Sequence, residues 1–155
     1  MPVPFTFDRR WRFDVPVADL WAAVSRVERF PEVWSWLDHF EAEGLRPGAT
    51  ARFSVRPPLP YRLHVTVVVD EVEPERCVTV TIGGDIEGPA RLEVAPLDSG
   101  GSEARLAWTL RLRRPALVRL ERLARPAMVW GHDTVVAIGV RQFRRRALGA
   151  TRPSR

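Results

Sequence analysis

Residues 13–34 run FDVPVADLWAAVSRVERFPEVW, and the residue pattern changes three times within them. The stretch opens as the end of a strand. Upstream, Phe5, Phe7, Arg9, Trp11 and Phe13 alternate with Thr6, Asp8, Arg10 and Arg12, the period-2 signature of a strand with one buried face. Pro16 cannot donate to a strand ladder and ends it. VADLWAAVSRV then sets Leu20, Val24 and Val27 on one stripe, with Ala18, Trp21, Ala22 and Ser25 beside it. That spacing predicts an amphipathic helix of about three turns. A second short helix is predicted over ERFPEVWSWL, with Pro31 in a first-turn position where proline is tolerated.

Downstream, as far as residue 112, the pattern is of strands. DHFEAEG (38–44) reads as a weak one. Ala51, Phe53 and Val55 alternate with polar residues up to the turn PPLP (57–60). Tyr61, Leu63, Val65, Val67 and Val69 form the next inner row, then Val78, Val80 and Ile82, then Leu92 and Val94. Ala104, Leu106, Trp108, Leu110 and Leu112 form the last. GGDIEG (83–88) follows one strand and precedes another, so it reads as a turn and not as a phosphate-cradling loop, which would open a helix. Short turns between consecutive strands imply an antiparallel meander with one apolar face that something must cover.

The cover is predicted over 115–148. Leu117, Leu120, Ala124, Met128, Val135, Ile138 and Phe143 recur near helical spacing there. Pro126 is expected to kink or split this helix near Arg125. Gly131 and Gly139 fall on its inward side, where small residues either let the helix approach the sheet or leave room. A basic tail, 149–155, is expected to be disordered.

This order is strand, two short helices, antiparallel strands, long C-terminal helix. It resembles the START-like (SRPBCC) superfamily, in its polyketide cyclase/dehydrase-like branch. The resemblance is carried by Phe13 to Pro16, by Leu20-Trp21, and by Phe30-Pro31 with Trp34; Gly44 or Gly48 matches a glycine between the following strands. It spans residues 5–148 in element order and implies one α+β domain over 1–148 with a helix-grip fold. In that fold a curved antiparallel sheet wraps a long C-terminal helix, with a deep apolar cavity between them. Family members bind lipids, polyketides, sterols, hormones or quinones there. Some catalyse cyclisation or dehydration and others only carry or sense a ligand, so function rests on the site.

Composition narrows the classes. The 155 residues are 45% hydrophobic and 28% charged, which suits a globular chain and not a disordered one. One cysteine, Cys77, cannot form an internal disulfide. No apolar run approaches the roughly 20 residues that span a bilayer, and MPVPFTFDRR lacks a signal pattern. A cytoplasmic protein is therefore expected. There is no HExxH, no CxxC and no clustered His/carboxylate spacing, so neither a metal nor another cofactor is expected. All 24 cationic residues are arginine. Up to residue 110, 12 arginines stand against 17 acids; from 111 onward, 12 stand against two. The basic end is read first as a solvated helix face, with nucleic acid or an anionic membrane as the less favoured partners. The pattern sets no oligomeric state.

The candidate site is the inner surface. From the sheet it takes Trp11, Phe53, Leu63, Val65, Leu106 and Trp108, and from the helix Met128, Val135, Gly139 and Gln142. Trp130 is a further pocket candidate. Arg9 sits on the apolar parity, where a buried guanidinium needs an anionic partner unless it snorkels to solvent. Tyr61 begins a strand with inward parity and could donate to a ligand carbonyl. His132 borders the helix's inner face, and neighbouring Asp133 diverges from it by about 100°. Binding of a hydrophobic small molecule is the leading reading. Two alternatives stand beside it. The first is a polyketide aromatase/cyclase-type enzyme, in which Arg9, Tyr61 and His132 would have to converge. The second is an interaction protein using the basic face.

Overall fold

The computed structural model describes residues 4–148; the tail expected at 149–155 lies outside them. The chain forms β1 (Phe5–Phe13), α1 (Val17–Ser25), a 3-10 turn (Val27–Arg29) and α2 (Phe30–Val33). Six strands follow: β2 (Leu37–Ala42), β3 (Thr50–Val55), β4 (Leu63–Glu73), β5 (Cys77–Gly84), β6 (Ile86–Pro96) and β7 (Ser102–Leu112). The C-terminal helix α3 (Pro115–Gln142) runs into a π-helical turn (Phe143–Leu148). The seven strands form one antiparallel sheet in the order β1-β7-β6-β5-β4-β3-β2. This is the helix-grip α+β arrangement that the sequence resemblance implies.

In α1, Leu20 and Ala23 are buried with Val27 just beyond, the i, i+3, i+7 stripe of an amphipathic helix. Leu20, 1% exposed, packs with Phe13, Val94, Ala104 and Phe143, tying helix to sheet. Ser102 is fully buried, and its Oγ donates to the Val15 carbonyl at 2.8 Å. That bond satisfies a backbone group where Pro16 ends strand pairing.

Two elements differ from the sequence expectation. The second helix is only Phe30–Val33, and Trp34 is already extended (φ −114°, ψ 109°). Trp34 to Trp36 therefore form a strap between α2 and β2. The weak strand is β2, interrupted by a bulge between Asp38 and Glu41 where His39 takes φ 52°. GGDIEG turns the chain between two strands as expected, and the turn is tight. β5 runs through Gly84, β6 starts at Ile86, and Gly88 pairs with Ile82. Near Pro126, as expected, α3 breaks: Ala124 leaves helical geometry (φ −137°, ψ 31°), so α3 is two helical segments joined at a kink.

The helix glycines do not bring α3 onto the sheet. A Cβ on Gly131 would lie 2.7 Å from Leu59 Cδ1, and one on Gly139 would lie 3.3 Å from Trp36 Cζ2. The helix is thus gripped at its sides, by the PPLP loop and the Trp34–Trp36 strap. Packing on the sheet runs along its length, with His132 against Phe7 and Trp108 in the middle. Leu117 and Met128 meet Leu112 toward one end, and Phe143 and Leu148 join the α1 cluster at the other. A third cluster, Ala49, Val69 and Val78, sits under Trp21 and Leu45.

Candidate ligand-binding site

The buried apolar residues form one main cluster around Leu20 and two smaller ones, Trp21 packing against both the Leu20 and the Ala49 groups. Outside them on the inner face, Phe7, Val65, Ala90 and Leu110 are buried, whereas Phe53, Val67, Ile82, Leu106 and Trp108 are half-buried. The strand register makes neighbours of them: Val67 opposes Ile82, Leu92 opposes Leu106, and Ala90 opposes Trp108. Apolar side chains left half-exposed on the concave face of a sheet are surface that a bound apolar molecule would cover.

At the sheet end beside the PPLP loop lies an open concavity of about 640 Å³, lined by Ser35, Trp36, Arg56, Pro57, Leu59, Pro60, Tyr61 and Arg62. That volume falls within the range of small-molecule pockets. Tyr61 connects it to the interior, because its ring also packs against the Leu112, Leu117 and Met128 cluster. Burial pushes the Tyr61 phenol above its ordinary pKa. Arg56 Nε pairs with Asp38 at 2.8 Å and Arg62 reaches the same carboxylate at 3.8 Å, so the rim carries one more cation than anion. Trp36 Nε1 is buried without a hydrogen-bond partner among the described residues.

The candidate residues fall into three groups. Val65 and Met128 are buried; Leu63 and Tyr61 pack beside Met128. Phe53, Leu106, Trp108 and Val135 are half-buried, as is Trp11, which leans on the α1 cluster. Arg9 is exposed on edge strand β1, its guanidinium 5.5 Å from the Phe7 ring centroid, so it snorkels. Gly139 and Gln142 serve the strap. Trp34 Nε1 donates to the Gly139 carbonyl at 2.9 Å, Gln142 Nε2 donates to Ser35 Oγ at 2.9 Å, and Ser35 N donates to Gln142 Oε1 at 3.2 Å. Trp130, taken from sequence as a pocket candidate with Trp108, points outward and is 56% exposed.

His132 sits among aromatics. Phe7 and Trp108 meet it edge-on at 5.3 Å, and Phe5 stacks at 6.5 Å. Trp108 Nε1 donates to His132 Nε2 at 3.1 Å. An indole N–H can only donate, so Nε2 accepts and the imidazole proton resides on Nδ1. Nδ1 then donates to Asp133 Oδ1 at 3.1 Å. Side-chain rotation has closed the 100° divergence that kept this pair apart in the sequence reading. Both ring nitrogens are engaged, so the resting imidazole has no free lone pair with which to act as a general base. Arg9 approaches His132 only across Phe7, and no hydrogen bond joins Tyr61 to either among the described residues. No group of three or more His, Cys, Asp or Glu able to hold a metal occurs among those residues.

Sequence reasoning missed Trp36, Arg56, Leu59 and Arg62 as rim residues. Arg56 and Arg62 carry outward strand parity, and only their place at strand ends beside a proline-rich turn could have pointed to them.

The sequence signature of a family described as polyketide cyclase/dehydrase and lipid transport matches residues 4–152. No curated protein matches the chain. Among solved structures, TTHA0849 from Thermus thermophilus is similar at 15% identity and TM-score 0.75, over 96% of this chain and 100% of that one. Protein Ms6760 from Mycobacterium smegmatis is similar at 15% identity and TM-score 0.67, over 95% and 92%. Norcoclaurine synthase from Thalictrum flavum, in complex with dopamine and hydroxybenzaldehyde, is similar at 12% identity and TM-score 0.64, over 99% and 91%. At these identities the likeness is one of fold.

Proposed function

The chain belongs to the polyketide cyclase/dehydrase and lipid transport family, within the START-like superfamily that its opening segment resembles, and from that footing we propose that it binds an apolar small molecule between sheet and α3. The ligand class is a lipid, a polyketide or an isoprenoid-like compound. The observation that carries this reading is the set of apolar side chains left half-buried on the inner face of the sheet, Phe53, Val67, Ile82, Leu106 and Trp108. A ligand of a few hundred daltons would complete the burial that the side chains leave unfinished. At about 25 cal/mol per Å² of apolar surface removed from water, each 100 Å² of ligand contact contributes roughly 2.5 kcal/mol before the costs of association.

Binding is favoured over cyclisation because the inner polar groups are spent on one another. Trp108, His132 and Asp133 form a closed chain of hydrogen bonds, and Tyr61 stands apart from them. Cyclisation of a polyketone chain needs several free groups converging on the substrate.

Native mass spectrometry of freshly purified protein, followed by denaturing extraction, tests the reading. A retained adduct of a few hundred daltons is expected. An unliganded mass, together with no uptake of fatty acid or polyketide probes, would sink it.

Tyr61 supplies a second test, because it is the only tyrosine in the chain. Phenolate absorbance therefore reports one site. Its folded-state midpoint is expected above the ordinary value of 10.0, returning to that value in urea. Whatever stability Tyr61 contributes is complete below pH 10 and is lost as pH rises through the raised folded value. An apolar ligand seated beside the ring should raise the midpoint further. A midpoint unmoved by a saturating ligand removes Tyr61 from the site.

A further inference from the structure

The outer face of α3 is as unusual as its inner one. Between Arg122 and Arg141 every exposed residue of this helix is apolar: Leu123, Pro126, Ala127, Trp130 and Ala137. Leu123 is 88% exposed and Trp130 56%. They are seven positions apart, with the break at Ala124 between them, so Leu123 stands at the kink and Trp130 one turn past Ala127 on the segment that follows. A solvated helix face would place charged residues there.

The charges stand at the two ends of this strip. Arg119 and Arg122 are exposed before it; Arg141 and Arg145 are exposed after it, beside Arg144 and Arg146, which reach the Arg12 and Val33 carbonyls. Neither acid of α3 opposes them, for Glu121 is buried against Arg125 and Asp133 is turned to His132. The strip from Arg119 to Arg141 is about 33 Å long at the helical rise of 1.5 Å per residue.

An apolar centre bearing Leu and Trp, bounded by arginines and with its one part-exposed acid, Asp133, paired with His132, has the chemistry of an interfacial helix on anionic lipid. Trp places its apolar body in the acyl boundary and its N–H at the headgroups. Arginine pairs with lipid phosphate through its planar fork. A second copy of the chain would set arginine against arginine. A nucleic acid would engage the arginines and leave Leu123 and Ala127 without a role.

We propose that the outer face of α3 docks on the surface of an anionic bilayer, with Leu123 and Trp130 at the acyl boundary and the flanking arginines on lipid phosphates. No helix among the described residues is long and apolar enough to cross a membrane, so the contact is peripheral. The proposal stands independently of any ligand inside the protein.

Cosedimentation of the full chain with vesicles tests it. Vesicles of phosphatidylcholine with about one third phosphatidylglycerol are compared with pure phosphatidylcholine, at 50 and 200 mM salt. Wild type is expected to bind the anionic vesicles at least tenfold more tightly, and less tightly at the higher salt. Leu123→Ser with Trp130→Ser should weaken binding at least tenfold at both salts, with the circular dichroism spectrum and melting curve unchanged. Arg119→Gln with Arg122→Gln should lose the preference for anionic vesicles. Three results overturn the proposal. The first is no binding to anionic vesicles at 50 mM salt. The second is wild-type binding by the Leu123/Trp130 variant, which would leave only nonspecific charge attraction. The third is a concentration-dependent dimer, or RNA retention, abolished by that same variant while vesicle binding persists.

Discussion

Ile82→Trp is expected to weaken binding of an apolar ligand about 30-fold or more while leaving the melting temperature within a few degrees of wild type. Ile82 is half-buried in the middle of the inner face, opposite Val67 on one side and Gly88 on the other. Gly88 contributes no side chain, so this row of the sheet is thin where the helix also stands off. An indole there enters space that the three clusters leave open. In a well-filled core the same change would overpack and cost about 1–3 kcal/mol. In an underfilled one the added ring finds contacts and stability holds. The two readings therefore diverge on stability even before a ligand is known. A 30-fold loss corresponds to about 2 kcal/mol, the scale of one displaced aromatic-sized contact. A fluorescence titration with anilinonaphthalene sulfonate or a labelled fatty acid, run beside a thermal melt, reads both quantities. A destabilised variant that still binds normally would place the ligand elsewhere.

Strand alternation made most of the sheet legible. Phe5 to Phe13, Tyr61 to Val69 and Ala104 to Leu112 obey the period-2 rule, and the inner parity assigned to each is the face that meets the clusters. Less legible were the departures from regularity. The β2 bulge at His39 and the extended strap after Val33 depend on what Trp34 and Trp36 pack against, and those partners lie more than 100 residues away on α3. The same long-range contact explains Gly139 and Gln142. Helical spacing put them on the inward side, but it could not say that a Trp strap, and not an interior space, lay opposite them. Nor could spacing show that Trp108 and His132 would spend their polar atoms on each other across the strand–helix gap. Local periodicity reports which way a side chain points. It does not report what the rest of the chain has brought there.

The glycine-rich segment 83–88 shows the same limit: its turn is legible in the sequence, the close strand approach at Gly88 is not, and that approach leads to the largest stability effect expected here. Gly88→Ala should cost about 4 kcal/mol. Gly88 lies inside strand pairing with φ +146°, and a Cβ built on it would stand 2.0 Å from the Thr109 carbonyl oxygen and 3.1 Å from its carbon. Those are backbone atoms of β7, so no side-chain rotation relieves the contact; the strands must part or the backbone must leave its conformation. An unfavourable φ for an L-residue costs on the order of 1–3 kcal/mol, and the loss of close β6–β7 approach adds to it. Gly48→Ala provides the control. Its φ of +84° is also left-handed, but nothing lies within 4 Å of the added methyl. It should cost only about 1 kcal/mol. Urea denaturation of the two variants separates dihedral strain from steric approach. Equal losses would mean that β6 and β7 are not as closely opposed as the structure has them. The larger loss at Gly88 should also reach the site, because Ala90, two residues on, pairs with Trp108. A strand displaced at Gly88 carries the Trp108 indole away from His132 Nε2. Residual folded Gly88→Ala protein is therefore expected to show altered tryptophan fluorescence, whereas Gly48→Ala keeps the wild-type spectrum.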